Sequence, residues 1–230
     1  MSRYIYSIEQ KTVELLRQYP REPSLSIYML HHVTDAVDES KRNLSITTDE
    51  FVRFISKKLD DGFVFISSEN IQNSFNTKSC LLTFDDVCKD AYENALPELE
   101  KRAIPYLCFI SPSFIGLDGY LSEYDVAHLR KSNFCTVGAH SLNHGLFRYM
   151  NITQKKIELS KEAHEEQLGC SINDFAFPYG SLYACDKESR QLASNEYQRV
   201  YSTINCKAIR RYGMGFLPRI NLNSENVLYV

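Results

Sequence analysis

Three groups of residues in this sequence have types and spacings that could do chemistry. Asp85 and Asp86 follow the apolar run Cys80-Leu-Leu-Thr-Phe84. Side chains alternate as a chain leaves a strand, so the two carboxylates point in different directions. One can bind a cation while the other faces a substrate. His140 and His144 stand four residues apart, which fits one side of a helical turn gripping a single cation. With an aspartate they would make a two-histidine, one-aspartate set that leaves coordination positions open, as catalytic zinc sites do. The segment Phe175-Ala-Phe-Pro-Tyr-Gly180 ends in a tight turn able to aim a main-chain N–H at a developing oxyanion. Taken singly, each pattern also fits a solvated acidic turn, a hydrogen-bonded histidine pair or a plain strand-to-helix turn. Their weight comes from occurring together.

Such residues need elements to position them. Strand patterns run into each group: 25–30 ends at His31-His32, 80–84 at Asp85, 134–137 before His140, and 174–180 at the turn. Further strands are expected at 63–66, 105–110 and 198–203, and the segment 217–222 finishes the domain. Helical patterns lie between them. Thr47 and Glu50 have capping-box spacing, and Phe51, Phe54, Ile55 and Leu59 share a face that stops at Gly62. Helices follow over 88–102, where Pro97 must bend or split the element, and over 122–130, 153–168 and 182–194. Residues 1–20 read as a leading helix with Val13, Leu15 and Leu16 on its apolar side. The alternation predicts an α/β fold: a helical extension at 1–24, then one domain over 25–230. Polar residues at several strand ends are what a (β/α) barrel shows when its site is assembled at the C-terminal mouth.

Other classes are disfavoured. A net charge of −3 supplies no basic domain for nucleic acid. No stretch approaches the ~18 apolar residues of a membrane span. Glu9, Lys11 and Glu14 interrupt any signal-like run, so the chain is expected to be cytoplasmic. The cysteines number seven, with no CxxC pair, which argues against a disulfide framework or a Cys-rich zinc site. Cys108, within Leu107-Cys-Phe-Ile110, reads as a small core residue.

The order Thr83-Phe-Asp-Asp86, His140-Ser-Leu-Asn-His144, Phe177-Pro-Tyr-Gly180 resembles the polysaccharide deacetylases, also called the NodB-homology or carbohydrate esterase family 4 domain. Met29-Leu-His-His-Val33 resembles the "YHxV" segment that opens one branch, and Leu217-Pro-Arg-Ile220 its ending. The likeness covers roughly 25–222. It implies a distorted (β/α) barrel that removes N-acetyl groups from an amino sugar in surface-glycan biosynthesis. It also implies a divalent cation, zinc being expected, held by Asp86, His140 and His144. Asp85 would be the general base, and the Tyr179 N–H would help hold the oxyanion. Ordinary members draw their acid from a C-terminal Leu-x-His motif, but no histidine follows His164 here. The permuted branch makes His31 the acid and leaves His32 structural.

The chain departs from the pattern at named positions. Val87 stands where the first motif usually has Gly. Ala176 stands where many members carry the Arg that orients the base, and Arg219 is the candidate to replace it. There is no Trp. Two further readings accompany the main one: a deacylase of an N-formyl sugar or a non-sugar amide, and an inactive homologue that binds glycan or a partner. The expected substrate of a cytoplasmic member is nucleotide-linked, lipid-linked or oligosaccharide.

Overall fold

Period-two alternation sets the two faces of each strand, and the helices cover one of them. The computed structural model describes residues 25–208, 213–227 and 229–230; the helix expected at 1–20 and the extension at 1–24 lie outside the described residues. The strands are β1 (Leu25–Leu30), β2 (His32–Thr34), β3 (Ser45–Thr47), β4 (Val64–Phe65), β5 (Ser79–Phe84), β6 (Tyr106–Ile110), β7 (Cys135–Ala139), β8 (Asp174–Ala176), β9 (Arg199–Tyr201) and β10 (Ile220–Asn221). The helices are α1 (Thr48–Asp60), α2 (Ile71–Ser74), α3 (Lys89–Asn94), α4 (Leu96–Lys101), α5 (Glu123–Leu129), α6 (Ile152–Glu158), α7 (Lys161–Leu168) and α8 (Lys187–Glu196).

The main sheet runs β10-β1-β5-β6-β7-β8-β9, with β4 also against β5, and its pairings are parallel. It curls into a half-barrel. Leu217 bridges Tyr201 of β9 while Ile220 pairs with Tyr28 of β1, so the last segment spans the two sheet edges. Leu25, Ile27, Leu81, Leu107, Phe109, Tyr201 and Leu217 pack together in one cluster inside the curl. Their alternates Tyr28, Leu30, Cys80, Leu82 and Phe84 pack in the larger outer cluster, against the helices. Parallel strands put all their C-terminal ends at one rim, where the polar residues lie.

Local sequence explains most boundaries. Thr47 and Glu50 form the expected capping box, and Phe51, Phe54 and Ile55 are buried. Each such side chain contributes about 1.5–3 kcal/mol by leaving water. Leu59 departs from the expected face and is exposed. Lys58 is buried instead, its ammonium over the rings of Tyr28, Phe54 and Phe63. Pro97 splits the 88–102 pattern into α3 and α4. The 153–168 pattern breaks at Ser160, whose hydroxyl accepts from the Ala163 N–H and starts α7. The helix expected from 182 begins at Lys187, because Asp186 caps it through the Ser189 N–H. The strand expected at 63–66 shortens to β4.

Candidate active site

The inward alternation of Leu81 and Thr83 along β5 carries Asp85 into the barrel mouth. Asp85 is buried and so is Arg219, which donates to it bidentately at 2.5 and 2.7 Å. Arg219 precedes Ile220, which pairs with Tyr28 midway along β1. The guanidinium therefore runs along the interior beside the rings of Phe109 (5.4 Å) and Tyr201 (6.0 Å). It also donates to Thr83 Oγ1 at 3.0 Å and, through Nε, to the Ser202 carbonyl at 2.8 Å. Burial alone would raise the Asp85 carboxyl. The Arg219 charge, helped by His140 and His31, outweighs this and holds it below the usual carboxylate value.

Asp86 turns away from Asp85 on a backbone with φ 58°, and Val87 follows with φ 43°. The Val87 N–H closes a tight turn onto the Asp85 carbonyl at 2.6 Å. A β-branched residue in the left-handed region is strained by about 1–3 kcal/mol. Val87 thus keeps a conformation that suits Gly, and its buried side chain anchors the loop in the core.

His140 and His144 do not share a helical turn, contrary to the sequence expectation. His140 extends β7, its N–H donating to the Ile110 carbonyl at 3.0 Å. Ser141 (φ 59°) and His144 (φ 52°) then bend the chain back, bringing the two ring centroids within 5.0 Å. Asn143 steadies this loop by donating to Glu158 from its N–H and its amide at 2.9 and 2.6 Å. The Ser111 hydroxyl donates to the His140 carbonyl at 2.6 Å. Glu158 and Ser111 carried no motif that could have announced them.

Asp86, His140 and His144 bring their ligand atoms together. Asp86 Oδ1 lies 3.6 Å from His140 Nε2 and 3.1 Å from His144 Nε2. A tetrahedral cation with 2.0–2.1 Å bonds would separate its ligands by about 3.4 Å. His140 Nδ1 lies 2.8 Å from the Ala176 carbonyl, so Nδ1 carries the hydrogen and Nε2 offers its lone pair. Asp86 Oδ1 is buried without a hydrogen-bond partner. An orphaned carboxylate oxygen between two imidazoles fits a divalent cation. Burial would raise Asp86, but the neighbouring His144 and His140 imidazoles hold it well below the ordinary range. Ala176 contributes its carbonyl here, which needs no arginine side chain.

His31 sits at the same rim. Its Nδ1 is buried without a partner. Burial lowers its pKa, opposed by the nearby charges of Asp85 and Asp86. His32 points elsewhere, to Asp90 at 2.8 Å. Tyr179 has φ 59°, and its exposed ring lies 5.2 Å from the His144 ring. Its turn requires Gly180: a Cβ there would meet the Thr203 nitrogen at 2.7 Å. Tyr179, His140, His144, Asp86, Asp85, Arg219 and His31 therefore line one mouth.

Known proteins resemble this chain in family and in fold. The Polysaccharide deacetylase family model matches residues 72–200. The chain is 23% identical over 208 residues to YxkH of Bacillus subtilis (strain 168), a protein assigned by name to the polysaccharide deacetylases, covering 86% of this chain and 71% of that protein. Among solved structures it is similar to the Streptococcus pyogenes deacetylase PplD in complex with acetate (TM-score 0.77, 23% identity, 89% of this chain and 96% of that one). IcaB from Ammonifex degensii gives a TM-score of 0.74 at 20% identity, over 89% and 94% of the two chains. A de-N-acetylase from Aggregatibacter actinomycetemcomitans gives 0.73 at 17% identity, over 88% and 96%. At these identities the structural likeness speaks for the fold, and the match over 72–200 for the family. With an α/β half-barrel and its acidic and histidine motifs at the strand ends, the chain belongs to the polysaccharide deacetylase family.

Proposed function

We propose that the chain is a zinc-dependent hydrolase that removes the N-acetyl group from an amino sugar during surface-glycan biosynthesis, in the YHxV-type branch of its family. The carrying observation is the buried Asp85–Arg219 pair beside the Asp86, His140 and His144 cluster. An ionised base next to a cation site is what amide hydrolysis with water needs.

A divalent cation held by Asp86, His140 and His144 would supply a Lewis acid that polarises the acetyl carbonyl and acidifies water. Asp85 takes one proton from the attacking water as its oxygen bonds to the carbonyl carbon. Held low by Arg219, Asp85 is a weak base, so the water it deprotonates would need the acidity that a bound cation supplies. The Tyr179 N–H would help hold the developing oxyanion. His31 gives a proton to the departing nitrogen as the C–N bond breaks. Acetate and a free amine leave. The names of the related proteins, one a de-N-acetylase and one seen with acetate, support the reaction class. The reading includes a cytoplasmic enzyme acting on a nucleotide- or lipid-linked N-acetyl sugar. Among the described residues no helix is long and apolar enough to cross a membrane.

Acetate release from nucleotide- and lipid-linked N-acetyl sugars tests this reading, with chelator and zinc add-back as controls. Release that chelation abolishes and zinc restores is expected. Release of formate in place of acetate would move the reading to an N-formyl sugar.

A further inference from the structure

A second group of ligand-bearing side chains lies beside the candidate active site and takes no part in the proposed reaction. His32 begins β2, directly after His31. Its Nδ1 lies 2.8 Å from Asp90 Oδ2, and its Nε2 lies 3.8 Å from Cys88 Sγ. One ligand atom from each of the three residues falls within 4.8 Å of the others. Cys88 is the N-cap residue of α3 but makes no side-chain capping bond, so its sulfur is not engaged by the helix. Its backbone is fixed by a bridge to Tyr120.

The hydrogen bonding sets the imidazole. A carboxylate only accepts, so Nδ1 carries the hydrogen and Nε2 presents its lone pair toward the sulfur. A carboxylate behind a histidine in this way is the usual support of a metal-binding imidazole. Distances agree. With metal–sulfur and metal–nitrogen bonds of about 2.3 and 2.0–2.1 Å, tetrahedral geometry separates S and N by about 3.6 Å. The observed 3.8 Å is within ~0.2 Å of that, as close a fit as Asp86 with His140 or His144.

Another chemistry could use the same order of groups: thiol, imidazole and carboxylate also make a nucleophile, base and orienter. Access decides against it. Cys88 is only 5% exposed and follows a fully buried Val87, which leaves no approach for an acyl group. The His32 and Asp90 side chains are 20% and 33% exposed, an opening sufficient for an ion.

We propose that Cys88, His32 and Asp90 form a second cation site, selective for thiophilic divalent ions such as Zn2+ or Cd2+, with Cys88 Sγ and His32 Nε2 as ligands and Asp90 fixing the imidazole. Water completes the coordination, and the thiol proton is released to solvent as the metal–sulfur bond forms. The site ties the β1–β2 turn carrying His31 to the β5–α3 loop carrying Asp85 and Asp86. It does not depend on the deacetylase reading.

Cobalt titration of the chelator-stripped full chain, read in the near ultraviolet, tests this. Only a thiolate ligand gives an intense sulfur-to-cobalt charge-transfer band; the Asp86, His140 and His144 set has no sulfur. The wild type should develop the band to saturation within two equivalents per chain, because the Asp86, His140 and His144 set also takes cobalt. His140→Ala/His144→Ala should retain it, and Cys88→Ser should lose it. Asp90→Asn should weaken cobalt binding about 10–100-fold. No band in the wild type at saturating cobalt overturns the proposal. So does an undiminished band in Cys88→Ser, which would assign it to another thiol such as Cys135 or Cys170. Should Cys88→Ser not fold, His32→Gln and Asp90→Asn decide: titrations identical to wild type in both overturn the site.

Discussion

Replacing Arg219 with Met leaves the Asp85 carboxylate buried without its partner. Both side chains are almost completely inaccessible, and the guanidinium also bonds Thr83 and the Ser202 carbonyl. Removing one member of a buried ion pair costs about 3–5 kcal/mol. Against a typical stability of about 5–15 kcal/mol, that is a large share. Arg219→Met/Asp85→Asn removes the stranded charge, so the double variant should be about 1–3 kcal/mol more stable than Arg219→Met. The pH dependence has a defined sign. In the wild type Asp85 is held low, so its stabilising contribution is present above about 3.9 and is lost as pH falls through the folded value. Without Arg219, burial dominates and the folded value rises above the unfolded one, a change that favours the folded state on acidification. The penalty of Arg219→Met should therefore shrink between pH 7 and 5. Urea denaturation of the metal-stripped proteins at both pH values measures this. A penalty under about 1 kcal/mol, or one that grows as the pH is lowered, would show that Arg219 does not neutralise a buried Asp85 charge.

Asp85→Asn should lower turnover by about 10²–10⁴-fold, with cation binding at Asp86, His140 and His144 kept; isothermal titration with zinc alongside steady-state rates checks both halves. His31→Ala should slow acetate release from ordinary amides more than from substrates with a better leaving group, because the latter need the proton less; equal losses on both would remove His31 as the acid. His164 is buried, its Nδ1 bonded to the Ser160 carbonyl at 2.7 Å, and burial lowers its pKa. A histidine held neutral costs stability as pH falls from about 6.5 toward its folded value, at most about 1.4 kcal/mol per pH unit. His164→Asn should flatten that slope in denaturation measurements on metal-stripped protein, and an unchanged slope between pH 6.5 and 5.5 would show that His164 does not titrate there.

The sequence carried the rim of the barrel more legibly than the means of supporting it. Apolar runs ending in His31, Asp85 and His140 announced strands, because burial on both faces demands continuous hydrophobic residues and only the rim admits polar ones. Arg219 reaches Asp85 from outside the 72–200 span of the family match, and its place at the end of the last strand pattern was the signal. The His140–His144 spacing suggested a helix; left-handed turns at Ser141 and His144 do the work instead, and non-Gly residues give no local sign of such turns. Glu158 and Ser111 were silent because their partners are a loop N–H and a carbonyl, which tertiary packing alone brings near. Ala176 looked like a loss, yet its carbonyl orients His140, a contribution independent of side chain.

Acetate release, measured side by side for the zinc-loaded wild type and Asp85→Asn on nucleotide- and lipid-linked N-acetyl amino sugars, separates an Asp85-dependent deacetylase from the alternatives. The wild type should release one acetate per free amine formed, and the variant at least about 100-fold less. Near-equal rates for the two proteins, or no acetate from any of these sugars by a fully metal-loaded wild type, would contradict it.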